Sequence, residues 1–404
     1  MTAQLERRSV APPTGVARLL ATVRDDGRPV SLAEHLDAYG PLPRRPGLIE
    51  AVEASGLRGR GGAAFPAGRK LRAVAAQRGR PVVVVNAAEG EPASKKDKAL
   101  LAHVPHLVLD GAAAAASALG AGSVIVALGA RARVEDALAR AIAERRDRIR
   151  WEIAHVPDRF VAGEETALLA GIAGRPAKPS TKPPYPFESG VRGAPTLVQN
   201  VETLAHVALV ARFGAAWFRS AGTQSEPGTA LVTLSGIVSR PGVHEIALGT
   251  RLSELLAGAG TTEAVGAVLV GGFFGGWTRD LDHPLDGGNG LGAGVVVAVP
   301  ARACALRESA RVAQYLAGQT AGQCGPCVNG VRALADGLEQ IAFGGDDSRR
   351  DLERWAAEVR GRGACRHPDG AANFVASTLS VFETEVGEHL RHGRCGGTDL
   401  RILL

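Results

Sequence analysis

Residues 56–70 read Gly-Leu-Arg-Gly-Arg-Gly-Gly-Ala-Ala-Phe-Pro-Ala-Gly-Arg-Lys, with five glycines and four cations in fifteen positions. Glycine admits positive φ and close backbone approach. The N–H groups of such a turn, feeding a helix N-terminus, form an anion cradle. Arg60 and Lys70 can add full positive charge beside it, and Pro66 suits a first helical position. The spacing is neither a dinucleotide G-x-G-x-x-G turn with its ribose acid nor a Walker loop, since no Gly-Lys-Ser/Thr follows. A flexible glycine loop would share this composition.

Two carboxylate constellations follow. Asn86-Ala-Ala-Glu89-Gly-Glu91-Pro92 comes directly after an apolar run and offers an amide and two acids to a ribityl or ribose chain. A solvated turn would look much the same. Gly163-Glu164-Glu165-Thr166 opens a helical stretch to Gly171, where acids complement the positive helix end with or without a ligand.

The five cysteines, Cys304, Cys324, Cys327, Cys365 and Cys395, all fall in the last quarter of the chain. Met1–Val10 is followed by no apolar export segment, so this clustering argues for metal or redox chemistry rather than a disulfide framework. Cys324-Gly-Pro-Cys327 also spells the thioredoxin dithiol motif. That motif needs a strand before it, whereas Ser309–Ala317 reads as helix. Two cysteines at this spacing also fit a structural pair holding no metal. Cys304 and Cys395 read as a core residue and a surface thiol.

The elements that must position these residues are legible in outline. Helices are expected at Leu48–Ala54, from Pro66, over Asp97–Leu119 with a break at Pro105, and at Val134–Arg145. Strands are expected at Val82–Val85, Ser123–Ala127 and Arg150–Val156. This alternation predicts a doubly wound α/β domain that binds ligands beyond the carboxyl ends of its strands. Residues 174–199 read as a long Pro/Gly-rich connection, a class that is usually functional. Short strands at Leu231–Ile237, Val243–Ile246, Ala267–Val270 and Val295–Val299 surround a helix near Leu252–Ala257 and suggest a β-grasp-like unit. Helical text follows in Val312–Leu316, Val331–Ile341 and Phe374–Leu390, a small bundle. Residues 1–45 are Pro/Arg-rich and read as a partly ordered arm.

The chain of 404 residues suggests two to four domains. Its net charge of +6 is spread among acids and comes with only 4% aromatics, which argues against a nucleic-acid platform. The longest apolar stretch, Leu107–Ala130, contains Asp110 and several glycines and does not read as a membrane span. A cytoplasmic protein with no transmembrane segment is expected.

Taken in order, Gly56–Lys70, Asn86–Pro92, Gly163–Leu168, Lys182–Pro186 and Pro195–Thr203 resemble the 51 kDa family of flavin-bearing, NADH-binding F subunits of NADH:quinone oxidoreductase (complex I). The same module occurs in NAD-linked hydrogenases and formate dehydrogenases. The resemblance covers about residues 45–395. It implies an α/β protein: an arm (1–45), a Rossmann-like FMN/NADH domain (46–225), an SLBB-like β-grasp domain (226–300) and a helical iron–sulfur domain (301–404). It further implies an NADH dehydrogenase-like flavoprotein that oxidises NAD(P)H through FMN. Electrons would leave through an iron–sulfur cluster to a ferredoxin- or quinone-linked acceptor. A ferredoxin-like or other electron-transfer subunit would be its partner, with a peripheral place on a membrane complex as one setting. NADH and NADPH both remain open.

Carried over by position, Gly59, Arg60, Gly61, Gly62, Lys70, Asn86 and Glu89 would hold the flavin phosphate and ribityl chain. Gly163, Glu164, Glu165, Gln199 and Asn200 would complete the flavin pocket. NADH would approach near Phe65, Glu91, Glu165, Lys182 and Tyr185, with Glu89 and Glu165 closest to the chemistry. Departures from the family pattern are Ala88 for Asp, Ala73 for an aromatic residue, Phe160 for Tyr and Gln199 for Asn. The family's Cys-Gly-x-Cys-x-Pro-Cys becomes Ala321-Gly-Gln-Cys324-Gly-Pro-Cys327 here, with Cys365 downstream. Three of four ligands of a [4Fe–4S] cluster are thus present. A non-cysteine ligand, water, or a recruited Cys304 or Cys395 would fill the fourth position. The alternative is a decayed relative that keeps the scaffold, with or without flavin, and does not oxidise NADH.

Overall fold

The computed structural model describes residues 15–43, 46–130, 133–288, 290–344 and 349–403. It begins with α1 (Leu32–Tyr39), α2 (Leu48–Ser55) and α3 (Ala67–Ala75), followed by β1 (Val82–Ala87), α4 (Lys96–His103), α5 (Pro105–Leu119) and β2 (Ser123–Gly129). Then come α6 (Glu135–Glu144), β3 (Arg150–Val156), α7 (Glu165–Ile172), β4 (Thr196–Asn200) and α8 (Val201–Phe218). The four strands form one parallel sheet in the order β3-β2-β1-β4.

Side chains alternate across the pleat. Val83, Val85, Val124, Val126 and Leu197 join the core shared with α2, α3, α5 and α8, while Val84, Ile125 and Val198 pack with Leu168 and Leu169 of α7 on the opposite face. The sheet is therefore covered on both sides, as its β-branched runs require. Pro105 separates α4 from α5, and the two helices meet at 98°. The α5–α8 contact depends on Gly111, where a Cβ would lie 1.8 Å from the Leu204 carbonyl oxygen.

Several elements differ from the sequence expectation. Within the expected arm, α1 carries a capping box between Ser31 and Glu34, and Leu19, Val30 and Tyr39 are buried in the main core. Residues 1–14 and 44–45 of that arm lie outside the described residues. Residues 196–200, read as the end of a connection, form β4, because pairing to β1 stabilises a strand too short to signal itself. The unforeseen α8 has the length and apolar composition to cross a bilayer, yet 72% of it is buried inside the fold. It is a core helix.

Buried charges on this layer are paired. Asp110, in α5, accepts from His35 at 2.7 Å, from Arg145 at 2.7 Å and from Arg212. Burial alone would push its carboxyl up, but these three partners hold it well below the usual carboxylate range.

The second unit comprises β5 (Thr229–Gly236), β6 (Gly242–Ala247), α9 (Leu252–Ala259), β7 (Val265–Val270), β8 (Gly276–Thr278) and β9 (Val295–Pro300). Its mixed sheet runs β6-β5-β9-β7-β8, with β5 and β9 parallel and the other pairs antiparallel. Val268 and Val270 face α9, while Ala267 and Leu269 face the C-terminal helices.

Those helices are α10 (Ala305–Gly318), α11 (Val331–Phe343), α12 (Arg349–Val359), α13 (His367–Val381) and α14 (Glu383–His392). A single π-turn, Pro326–Gly330, leads into α11. The helical stretch expected over Phe374–Leu390 is broken at Phe382, whose backbone is non-helical, so two helices stand where the apolar spacing suggests one.

Candidate functional site

The strand order reverses beside β1, which has β2 on one side and β4 on the other; ligands of open α/β sheets bind beyond the carboxyl ends at such a point. Asn86, one residue before the end of β1, pairs in register with Asn200, the last residue of β4. The glycine turn lies over them, since a Cβ on Gly61 would sit 3.4 Å from the Asn200 Cβ. Behind the turn, α3 begins at Ala67 and packs so closely on α2 that a Cβ on Gly68 would meet the Glu53 backbone nitrogen at 2.8 Å. The Ala67 amide donates to the Leu57 carbonyl at 2.9 Å and the Lys70 amide to the Pro66 carbonyl at 3.2 Å, so the Gly68 and Arg69 amides are the first-turn donors that an anion cradle would use.

The candidate polar residues converge here, although most already serve one another. Asn86 Nδ2 donates to the Gly163 carbonyl at 2.8 Å, tying the β1 edge to the start of α7. Glu164 caps α7 by accepting the Thr166 and Ala167 amides at 2.8 and 3.1 Å. Glu165 receives Lys70 Nζ at 2.9 Å and Lys182 Nζ at 2.7 Å, and Lys182 also reaches Glu164 at 3.1 Å. Burial would raise the Glu165 carboxyl, but the two lysines outweigh it and keep the group ionised. Both lysines are partly exposed, so they can turn toward an incoming anion. Phe65 and Tyr185 are 50% and 43% exposed, and Tyr185 stacks on Phe187 at 5.3 Å.

Three residues sit differently from expectation. The Arg60 guanidinium is not beside the turn; it is buried, donates to the Thr229 carbonyl at 3.0 Å and lies 3.8 Å from Glu202. A desolvated guanidinium needs a buried acceptor, and Glu202 provides it. Only the Arg60 backbone stays with the turn, donating to Thr203 Oγ1 at 2.9 Å. The Glu89 carboxylate accepts Ser94 Oγ at 2.6 Å and the Asp97 amide at 3.1 Å, so it caps the start of α4. Glu91, expected near NADH, is buried and accepts the Phe273 amide at 2.8 Å from the second unit.

Burial pushes the Glu91 carboxyl up to about 7, against the pull of the Phe273 and Ala93 amides. A raised acid binds its proton more tightly when folded, so its stabilising contribution is present below the unfolded value near 4.5 and is lost as pH rises through about 7. Glu91→Gln should therefore flatten the fall in stability between these pH values, by at most about 1.4 kcal/mol per pH unit. Urea unfolding of both proteins across that window measures the difference; parallel curves would contradict the assignment.

Sequence reasoning missed a buried network behind the turn. Lys96 Nζ lies 2.8 Å from Asp97 and 2.9 Å from Glu202, and Asn200 Nδ2 donates to Asp97 at 2.6 Å. Glu202 also accepts the Leu231 amide at 2.8 Å, joining the two sheets. Lys95-Lys96-Asp97-Lys98 resembles an ordinary solvated charge run; its one signal was its place just past β1. The Gln199 side-chain nitrogen is buried with no hydrogen-bond partner, as are Arg60 Nε and both ring nitrogens of His206 in α8. An unpaired donor at the sheet's carboxyl edge fits a polar ligand such as FMN.

The thiols form a second centre beside the first. Cys324 and Cys327 interact directly, Cys365 lies within electrostatic reach of both, and the Gly322 amide faces Cys327 sulfur. Burial pushes the Cys327 thiol up to about 11, with Cys324 and Cys365 adding to it. Burial also acts on Cys324, but the Ala364 and Cys327 amides outweigh it and leave that thiol below its usual range. Three converging sulfurs suit an iron–sulfur cluster at three positions, and Ala321 is buried next to them. Cys327 lies within the π-turn that leads into α11, and α10 rather than a strand precedes the motif, which excludes the thioredoxin setting.

The two centres are joined by the segments on either side of α7. Arg159 donates to the Thr320 carbonyl at 3.1 Å, the Phe160 amide to Gln319 at 3.1 Å, and Gln323 to the Pro179 carbonyl at 3.3 Å. Phe160 packs on Phe274 at 4.5 Å and His367 at 5.6 Å. The Glu164 carboxylate is within electrostatic reach of Cys365.

Comparison with known proteins agrees with this division. The Nuo51 FMN-binding domain matches residues 52–209, and the NADH-ubiquinone oxidoreductase-F iron-sulfur binding region matches 307–389. The second NADH-quinone oxidoreductase F subunit of Rhizobium meliloti (strain 1021) is 32% identical over 417 residues, covering 96% of this chain and 98% of that protein. The F subunit of Streptomyces coelicolor is 33% identical over 384 residues, covering 86% and 84%. A solved NAD+-reducing [NiFe]-hydrogenase in its H2-reduced state superposes with a TM-score of 0.80 at 33% identity, over 85% of this chain and 62% of that one. This chain thus spans less than two thirds of the hydrogenase chain.

Proposed function

This chain belongs to the family of NADH-quinone oxidoreductase F subunits, and from that premise we propose that it oxidises NADH with FMN and passes electrons to an iron–sulfur cluster on Cys324, Cys327 and Cys365. The reading rests chiefly on one juxtaposition: the Glu164–Glu165 pair gathers Lys70 and Lys182, and Glu164 is also within electrostatic reach of Cys365. FMN, when bound, supplies the exchange between two-electron and one-electron chemistry that amino-acid side chains lack. The chain's own residues bind and orient.

The Gly59–Gly62 turn, the start of α3 and Lys70 hold the phosphate. Gln199 offers its unpaired amide, while Asn86 and Asn200 fix the edges of the cradle through Gly163 and Asp97. Glu89 and Arg60 act behind the pocket, the first by fixing α4 and the second by holding the turn against Glu202. Glu165, kept ionised, orients the two lysines rather than moving a proton. Phe65 and Tyr185 present exposed rings to the nucleotide base, and Ala73 leaves that clamp less enclosed than the family pattern implies. Glu91 is a tether between units, so we place it outside the NADH contact.

We retain the three-unit division at 225/226 and 300/301, with a Rossmann-like first unit, an SLBB-like second and a helical third. The partner is an electron-transfer subunit of a multisubunit assembly, ferredoxin-like in chemistry.

Tyr185→Ala in the FMN-loaded protein should raise the KM for NADH about three- to tenfold, because a lost aromatic stack is worth roughly 0.5–1.5 kcal/mol. FMN content should stay unchanged. A loss of FMN with KM unaltered would move Tyr185 to the flavin instead. The decayed-relative reading draws on Ala73, Ala88 and Ala321, and an NADH titration of the loaded protein separates it from this one.

A further inference from the structure

Cys304 and Cys395 play no part in the site above, nor can either supply the sulfur missing at Ala321. Cys304 precedes α10, whose fourteen residues carry the chain about 20 Å before the Cys324 region begins. Arg307 pins that N-terminal end to the far end of α11, donating to the Ala342 carbonyl at 3.3 Å and lying over the Phe343 ring at 5.1 Å. Cys327 stands at the near end of α11. The two sulfur clusters therefore sit at opposite ends of the α10–α11 hairpin.

At the far end, Cys304 meets His389 of α14 and Cys395 just beyond it. The three ligand atoms all lie within 4.8 Å of one another, with Cys304 Sγ and His389 Nε2 at 3.4 Å. A zinc ion with sulfur at about 2.3 Å and nitrogen at about 2.0–2.1 Å in tetrahedral array separates such atoms by about 3.5 Å. Cys304 and His389 are buried, whereas Cys395 is partly exposed and leaves an approach from solvent.

The backbone is arranged around the sulfurs. The Gly397 amide donates to Cys395 Sγ at 3.4 Å, and the Arg307 amide and guanidinium face Cys304. Gly397 has no room for a side chain, since a Cβ would lie 2.7 Å from the Cys304 backbone nitrogen. The tail is held there by Cys304 N to the Thr398 carbonyl at 2.8 Å and by the Ile402 and Leu403 amides to buried Glu308 at 3.1 Å.

We propose that Cys304, His389 and Cys395 bind one thiophilic divalent cation, zinc, with solvent as fourth ligand, as a structural clip between α10, α14 and the C-terminal tail. Two thiolates balance its charge, and neutral imidazole completes the protein set. The clip joins residues 85 positions apart in sequence and is independent of the flavin and iron–sulfur reading.

The test uses the full chain, loaded anaerobically with FMN and iron–sulfide, exposed to zinc and desalted, with zinc and iron measured together by plasma mass spectrometry. About one zinc per chain is expected in wild type and in Cys365→Ser. Cys395→Ser and His389→Gln should lose it, and His389→Cys should keep it. Zinc added to metal-free wild type should also raise the thermal midpoint by several degrees with FMN content unchanged, a result that requires no variant. Wild type without zinc, zinc retained in both Cys395→Ser and His389→Gln, or a Cys304–Cys395 disulfide in unreduced peptide maps would each overturn the proposal.

Discussion

Cys365→Ser protein, reconstituted anaerobically with iron and sulfide, should return from desalting with essentially no cluster iron, while wild type retains a labile one. Three thiols converge at this end of the bundle, and Ala321 leaves the family's fourth position without a sulfur. A set already one ligand short has no reserve. The complementary change should act oppositely. Ala321→Cys places a sulfur one residue before the Gly322 amide that faces Cys327, at the family spacing, and should raise iron content and oxygen tolerance. Iron and sulfide assays, with EPR of oxidised and reduced samples, read both variants. If neither wild type nor Ala321→Cys takes up a cluster, the helical unit has lost the site.

FMN affinity should fall about a hundredfold or more in Lys70→Glu. Lys70 lies at the end of the glycine run, partly exposed and 2.9 Å from Glu165. Charge-assisted bonds contribute roughly 1.5–3 kcal/mol, and an acid in its place adds repulsion against a doubly charged phosphate. A hundredfold corresponds to about 2.8 kcal/mol. Lys70→Ala should lose about tenfold, since it removes the attraction without the repulsion. Fluorescence titration of the apoprotein with FMN measures both. Equal affinity in wild type and Lys70→Glu would place the phosphate elsewhere.

The contrast between Lys70 and Arg60 shows what a sequence can and cannot disclose. Both are cations of one glycine-rich run, and composition treats them alike. Only the fold reveals that Arg60 turns inward to Glu202, more than a hundred residues away, while Lys70 stays at the surface. The turn, the helix after it and β1 were legible because glycine spacing and β-branched runs are local signals. Strand β4 was not, since Thr196–Asn200 becomes a strand only by pairing with β1.

The partners of the acids were hidden for the same reason. Glu89, Glu91 and Glu165 each lie within two residues of a glycine, yet one caps a helix, one tethers two units and one gathers two lysines. Those roles are set by partners distant in sequence. The cysteine trio was readable because Cys324 and Cys327 are near neighbours and Cys365 falls at a family interval. The grouping of Cys304 with His389 and Cys395 has no such spacing and emerges only when α14 and the tail return to the start of α10.

The most direct test is an anaerobic titration of FMN- and cluster-loaded protein with NADH alone, followed by optical absorbance and EPR. The proposed function requires NADH to bleach the flavin band and then to produce a reduced-cluster EPR signal, which Cys365→Ser lacks although its flavin still bleaches. If NADH changes neither signal while dithionite reduces both, the chain keeps the scaffold and cofactors of its family without its reaction, and its role as an NADH oxidiser is refuted.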